Sequence, residues 1–385
     1  MTDPGCKPID KWRVLDLGII TAGAATSAIL ADFGADVIKV ESQSYQDPFR
    51  KWAGKWNLGT AISPVFQFTN RNKRGLDLDL KTSVGRERFL RLVAKSDVVV
   101  ENFRRGVLDR LNLGYEVLAE ANPRIVLASL SSQGDSGPHR GYASYGSTLD
   151  ANGGLAAITG YPGDHPVVSG RNVNYTDQLV ALLAAGTIIA GVMHAQASGK
   201  GAHLDISQRE VTAFGVGEYV AAAAINPVES AQLRRGNADP AGLPQGCFRS
   251  ADGHWLAVTV PSNAVPAVCA RLAVSHRDGA GIEAALEAWI AGERVETVSR
   301  DLAGMGASVA PVLTGSEILN SNIGSVQRIF VKGPSGDFVK GSPFQQESPF
   351  SVHRDAPAFG EHTRDVLKEL LGIDEQDCVA GQPVD

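Results

Sequence analysis

The chain has few cysteines, and none of them are close together. Cys6, Cys247, Cys269 and Cys378 form no C-x-x-C pair. That spacing argues against a disulfide framework and a thiolate zinc site, and scattered thiols suit a reducing cytoplasm. The eight histidines show no H-x-x-x-H or H-E-x-x-H spacing, so no metal site is expected. His203 and His254 lie in strand patterns and read as structural. Positive charge is not in excess either. A net charge of -6 argues against a general nucleic-acid binder, which needs a basic patch to displace counterions. Local basic clusters can still hold anions. The N-terminal residues Met1 to Pro8 carry no apolar signal core, so no secretory leader is expected. The one long apolar run, Leu179 to Ala195, is shorter than the ~20 residues of a membrane span. It is rich in Ala, Gly and Thr and holds His194. It reads as a helix buried on most sides.

Familiar catalytic motifs are absent as well. Gly18 to Gly23 lacks the G-x-G-x-x-G spacing of dinucleotide folds and the Lys-Ser/Thr of a P-loop. Gly141 to Gly146 places its serine one position too late for a G-x-S-x-G elbow. Nicotinamide, P-loop and serine-triad chemistry are therefore disfavoured.

The chain does contain an alternation of short apolar strands and helices. Residues 13–18, 36–41, 97–100, 124–130 and 202–207 read as strands. Ala24 to Phe33, Ser83 to Lys95 and Val107 to Glu120 read as helices, the first ended by Gly34. This pattern predicts an α/β fold with a Rossmann-like parallel sheet covered on both faces. For 385 residues, about two domains are expected. The large domain is placed at 1–225, a linker rich in Asn, Pro, Gly and Arg at 226–244, and a smaller α+β domain at 245–334. The small domain should open with a hairpin, 246–250 and 253–259, turning at Ala251-Asp-Gly253. Helices near 282–291 and 296–304 follow, and the tail ends in a helix from Thr363 to Leu371.

Two features carry candidate chemistry. Arg71, Lys73, Arg74 and Lys81, with Asn102, Arg104, Arg105 and Arg110 at a strand end, are candidates for holding phosphates by charge-assisted hydrogen bonds. They can equally be solvated loop charges. The second feature is Asp177, at the mouth of the apolar run. A helix cap there contributes on the order of 1 kcal/mol. The same carboxylate, ionised beside a helix N-terminus, can attack an activated acyl group. Position alone leaves both readings open.

The ordered motifs resemble those of class III CoA-transferases, the CaiB/BaiF family (formyl-CoA, carnitine and benzylsuccinate CoA-transferases). They include Leu30-Ala-Asp-Phe-Gly-Ala-Asp-Val-Ile-Lys-Val-Glu41, Asn72-Lys-Arg-Gly-Leu-Asp-Leu-Asp-Leu-Lys81 and Asp97-Val-Val-Val-Glu-Asn-Phe103. Ser198-Gly-Lys-Gly-Ala-His-Leu-Asp-Ile-Ser207, Arg235-Gly-Asn237 and Gly360-Glu-His-Thr363 continue the match. The resemblance implies that CoA moves from an acyl-CoA thioester to a carboxylic acid, with Asp177 as nucleophile. Mixed anhydride and aspartyl-CoA thioester intermediates would carry the transfer, without ATP or a tightly bound cofactor. Thr21, Ala22, Arg71, Lys73, Leu78, Leu80, Lys81, Asn102, Phe103, Arg104, Arg110, Tyr142 and Tyr145 would bind coenzyme A. Arg171 and Tyr175 would face the acid substrate. The family also implies a cytoplasmic enzyme whose two chains interlock like rings, with residues 335–385 completing the large domain. The resemblance implies either two identical chains or a heteromer with a homologous subunit. Some members carry Gln where Thr21 stands and Glu where Gly146 stands. That difference leaves room for a non-catalytic CoA-binding partner subunit. A racemase is the weaker alternative, because the His of its G-H-D-I-N-Y motif is missing from Gly141 to Gly146.

Overall fold

Short apolar segments bounded by glycine and polar turns form the strands expected of a sheet buried on both faces. The computed structural model describes residues 7–52, 62–169, 174–226, 234–238, 241–275, 279–320, 329–341 and 352–373. In chain order these are β1 (Arg13–Asp16), α1 (Ala22–Asp32), β2 (Asp36–Glu41), α2 (Pro64–Asn70), β3 (Lys73–Asp77), α3 (Ser83–Val93) and β4 (Val98–Glu101). Then come α4 (Val107–Arg110), α5 (Tyr115–Ala121), β5 (Val126–Ser131), α6 (Gly146–Asn152), α7 (Leu155–Ile158), α8 (Tyr175–Ser198) and β6 (Ala202–Ser207). They continue with α9 (Gln208–Gly215), α10 (Gly217–Ile225), β7 (Gln245–Arg249), β8 (Trp255–Thr259), α11 (Val265–Leu272), α12 (Gly279–Ala291) and α13 (Val295–Gly304). The last are β9 (Ser308–Pro311), α14 (Gly315–Asn320), β10 (Phe330–Lys332), β11 (Phe338–Lys340) and α15 (Thr363–Leu371).

The first six strands form one parallel sheet in the order β3-β2-β1-β4-β5-β6. The winding reverses between β1 and β4, whose registered partners are Val14 with Val98 and Asp16 with Val100. Alternate strand residues feed two cores. Leu15, Ile38, Leu76, Val99 and Leu127 pack under Phe89 and Leu92 of α3, Leu118 of α5, and Val366, Leu367 and Leu370 of α15. Val14, Val37, Val98, Val100 and Val126 pack under Leu30 of α1 and Val180, Ala184, Ile188 and Val192 of α8. The tail is tied to the edge strand: Thr363 Oγ1 accepts from Asp77 N at 2.8 Å and His362 Nδ1 from Gly75 N at 3.2 Å.

The chain divides into two compact units. One comprises residues 1–155, 168–221 and 324–385; the other comprises 156–167 and 222–323. Residues 156–167 and 222–225, assigned by sequence to the large domain, group with the second unit. So does the whole stretch read as the linker, 226–244. Residues 324–334, read with the small domain, group with the first unit. In the second unit, β7, β8 and β9 form an antiparallel sheet. Its core is Phe248, Leu256, Val258, Val268, Ile282, Leu286, Ile290, Val298 and Leu302. The expected hairpin turn is present, with Gly253 at φ +86°.

Two sequence expectations need correction. The single helix from Val107 to Glu120 is two helices. Asn112 takes φ +55°, and a Cβ on Gly114 would stand 2.5 Å from Asp109 Oδ1, so the chain breaks there to bury Leu113. The long apolar helix α8 is not buried on most sides. Val180, Ala181, Ala184, Ala185, Ile188, Val192 and Ala195 are buried at helical spacing, whereas Leu182, Leu183 and Met193 are exposed. With 24 residues and mean hydropathy 1.8, α8 is long and apolar enough to cross a membrane. Its buried stripe against β5 and α1 is what a core helix shows.

Candidate active site

Open α/β sheets bind ligands where the winding reverses, beyond the carboxyl ends of the strands. Here that point lies between the turn after β1 and the loop after β4. Asn102 clamps the two together. Its Oδ1 accepts from Ile19 N at 2.9 Å, and its Nδ2 donates to Ile19 O at 3.0 Å. Ile20 takes φ +60°, a left-handed conformation that costs a branched residue about 1–3 kcal/mol. The Asp47 carboxylate holds it there, accepting from Ile20 N at 3.2 Å.

A buried charge network supports this turn. Lys39 Nζ donates to Gly18 O at 2.6 Å and lies 3.2 Å from Asp47 Oδ2. Lys73 Nζ donates to Asp16 Oδ2 and Ala24 O at 2.8 Å and to Asn70 Oδ1 at 2.9 Å. Burial pushes the Lys73 ammonium down to about 8 against the attraction of Asp16. Burial acts on Lys39 in the same sense, but Asp47, Asp16 and Glu41 outweigh it and raise its pKa.

Two cavities open above the turn. The first, of about 440 Å³, is lined by Thr21, Ala22, Tyr45, Asn102, Phe103, Arg104, Arg140, Tyr142, Tyr145, Gly146, Asn174 and Asp177, among others. The second, of about 390 Å³, is mostly apolar and includes Leu17, Val40, Leu78, Leu80, Lys81, Phe103, Arg104 and Leu111. Ile19, Tyr45, Phe103 and Arg104 border both, so the two are neighbours across one wall. Neither Lys81 nor Arg104 forms an ion pair among the described residues. Arg105, by contrast, is engaged by Asp135 at 2.6 Å and Asp205 at 3.1 Å.

The structure thus gathers ten sequence candidates around the two cavities: Thr21, Ala22, Leu78, Leu80, Lys81, Asn102, Phe103, Arg104, Tyr142 and Tyr145. Asp177 joins them. Arg71 and Lys73 line neither cavity: Arg71 is buried against Asp32, and Lys73 lies wholly inside the charge network. A basic run at a loop resembles a phosphate site in sequence, but here acidic partners inside the fold take up these two cations. Arg110 is exposed, close to Gly106, and lines neither cavity. Tyr175 is exposed at the first position of α8. Arg171 lies outside the described residues.

Asp177 is not the cap of its helix. Asn174 occupies that position, and Asp177 follows three residues later, inside the first turn. The sequence placed the helix start near Leu179, and the helix begins four residues earlier. Asp177 is 8% exposed. Burial and the neighbouring Asp150 raise its pKa to about 6, and no hydrogen bond from a described residue opposes them. A buried carboxylate with no donor among the described residues, on a cavity wall, is a candidate functional group. Gly146 faces it closely: a Cβ there would stand 3.2 Å from Asp177 Oδ2 and 3.0 Å from Asn174 Oδ1. Sequence reading treated Gly146 as a lost polar group, whereas here it provides clearance above the carboxylate. Asp150, Tyr45 and Arg140 were not singled out in the sequence. They carry no motif, and only packing brings them to the site.

The chain is similar to known proteins over nearly its whole length. The model of CoA-transferase family III matches residues 9–363. Succinyl-CoA–D-citramalate CoA-transferase from Chloroflexus aurantiacus is 31% identical, over 96% of each chain. Succinyl-CoA:mesaconate CoA-transferase from Haloarcula marismortui is 32% identical, over 95% of this chain and 97% of that one. The crystal structure of a CaiB/BaiF family protein from Brucella suis superposes with a TM-score of 0.85 at 25% identity, over 94% of this chain and 99% of that one. With the sheet order, the ordered motifs and these matches in agreement, the chain belongs to CoA-transferase family III, and it is a CoA-transferase.

Proposed function

We propose that the enzyme moves CoA between carboxylic acids through covalent intermediates on Asp177. The observation that carries this reading is the buried carboxylate on the cavity wall, free of hydrogen bonds from described residues and with its pKa raised to about 6. Such a group is ionised at neutral pH, basic for a carboxylate and poorly solvated, which favours nucleophilic attack. An Asp177 oxygen attacks the thioester carbonyl of the acyl-CoA, CoA thiolate leaves, and a mixed anhydride forms. The thiolate then attacks the Asp177 carbonyl carbon and expels the donor acid, leaving an aspartyl-CoA thioester. The acceptor carboxylate attacks that thioester and forms a second anhydride. The returning thiolate attacks the acceptor carbonyl and releases Asp177. Overall one thioester is exchanged for another, so no ATP is needed. The walls of the cavity must exclude water, because anhydrides hydrolyse.

Coenzyme A is placed with its phosphates near Lys81 and Arg104 and its thiol arm passing Phe103 toward Asp177. The apolar lining by Leu78 and Leu80, and two cations without an ion pair among the described residues, support this placement. The names of the two relatives support succinyl-CoA as donor and a dicarboxylic acid as acceptor. The exposed apolar face of α8, with Leu182, Leu183 and Met193, supports a second chain packed over it, as in an interlocked ring dimer. Free thiols at Cys247 and Cys269 fit a cytoplasmic setting. The roles given to Asp177, to the two cavities and to α8, with completion of the large domain by residues 335–385, fall on the first unit.

The test is chemical. Enzyme incubated with succinyl-CoA and trapped with hydroxylamine or borohydride should carry the modification at Asp177, located by mass spectrometry. Normal turnover by Asp177→Ala would sink the reading. Arg104→Ala should raise KM for acyl-CoA with little change in kcat.

A further inference from the structure

Asp150 lies in α6 with no exposed surface. Its Oδ2 accepts from Ser169 N at 2.9 Å and from Ser169 Oγ at 2.6 Å. Its Oδ1 accepts from the hydroxyl of Thr176, a fully buried residue next to Asp177. Ser169 Oγ in turn accepts from Tyr175 N at 3.3 Å. One carboxylate therefore joins α6, the segment at Ser169 and the first turn of α8. Among the described residues it has no cationic partner. A buried acid without a cation is expensive, and a neutral amide could accept part of the same network. The charge therefore calls for a functional explanation.

We propose that Asp150 is a positioning residue for CoA transfer: it locks the first turn of α8 so that Asp177 faces the cavity, and its negative charge makes that carboxylate the stronger nucleophile. This rests on the reading of Asp177 as the nucleophile. After burial, Asp150 is the one charged group whose field shifts Asp177. The other charged groups on elements packed against α8 are Asp32 on α1, Asp205 on β6, and Arg209 and Glu210 on α9. Across the cavity stand Arg104, Arg105, Arg140 and the phenols of Tyr45, Tyr142 and Tyr145.

Asp150→Asn removes the charge and keeps the shape, since the Thr176 hydroxyl can turn to accept from the new amide. The experiment is the pH profile of kcat with succinyl-CoA and an acceptor acid, for the parent, Asp150→Asn, Thr176→Val and Asp177→Ala. The parent should gain activity as pH rises through about 6. In Asp150→Asn this acid limb should move to lower pH and the plateau kcat should fall, with KM for acyl-CoA unchanged. Thr176→Val keeps the charge but cuts the tie. It should lower the plateau and leave the limb in place. A folded Asp150→Asn enzyme with the parent's limb and plateau would overturn the proposal. If Asp150→Asn does not fold, Thr176→Val carries the test: a plateau kcat at the parent's value would overturn the positioning role. An inactive Asp177→Ala enzyme beside an unchanged Asp150→Asn enzyme defeats the Asp150 proposal alone. An active Asp177→Ala enzyme defeats the nucleophile reading first.

Discussion

In the folded chain the Asp177 carboxyl titrates near 6 rather than 3.8, because burial and the charge of Asp150 both disfavour its ionised form. The folded value is raised, so the folded state binds more protons than the unfolded state between these two pH values. Stability therefore falls as pH rises from about 4 to 6 and does not return above that window. A shift of about two pH units corresponds to roughly 3 kcal/mol at neutral pH. Asp177→Asn should accordingly raise stability by about 2–3 kcal/mol while abolishing transfer. Thermal unfolding and turnover of the same variant check both halves. Gly146→Val is expected to lower kcat/KM, because a side chain there would crowd the attacking oxygen and Asn174. Its circular dichroism should match the parent. At this scale the sequence was partly legible. Asp177 could be found from the apolar run that follows it and the motifs around it. Asp150 could not, because nothing in the sequence near it marks an acid whose partners are Ser169 and Thr176.

Beneath the reversal of the sheet, β1, β2 and β3 contribute Asp16, Lys39 and Lys73 to one buried cluster, completed by Asp47. Removing one partner leaves an uncompensated buried charge, which costs about 3–5 kcal/mol. Asp16→Asn and Lys73→Ala should each lose stability of that order in chemical denaturation. Strands and helices with a clear apolar period were readable in advance: β2, β6 and α15 lie where the sequence put them. The break between α4 and α5 was not. It follows from the left-handed Asn112 and the close approach at Gly114, which a 3.6-residue periodicity does not record.

At the scale of the whole chain, α8 packs one side against the sheet and leaves the other apolar and exposed. An uncovered apolar face on a central helix points to a partner surface. Met193→Glu, alone or with Leu182→Glu, should convert the proposed dimer to monomers or aggregates, as read by sedimentation equilibrium. Transfer activity should fall with dissociation. Unchanged mass and activity in both variants would remove that face from the interface.

The sequence by itself determined the class of fold, the family and the position of the proposed nucleophile, because periodicity, glycine turns and ordered motifs are local and survive in one dimension. Tertiary structure decided the rest. It turned Arg71 and Lys73 inward to acidic partners, moved the cap from Asp177 to Asn174, and brought Asp150 and Gly146 against Asp177 from a separate helix. Burial, electrostatic coupling and clearance depend on which distant residues meet, and only the packed chain brings them together.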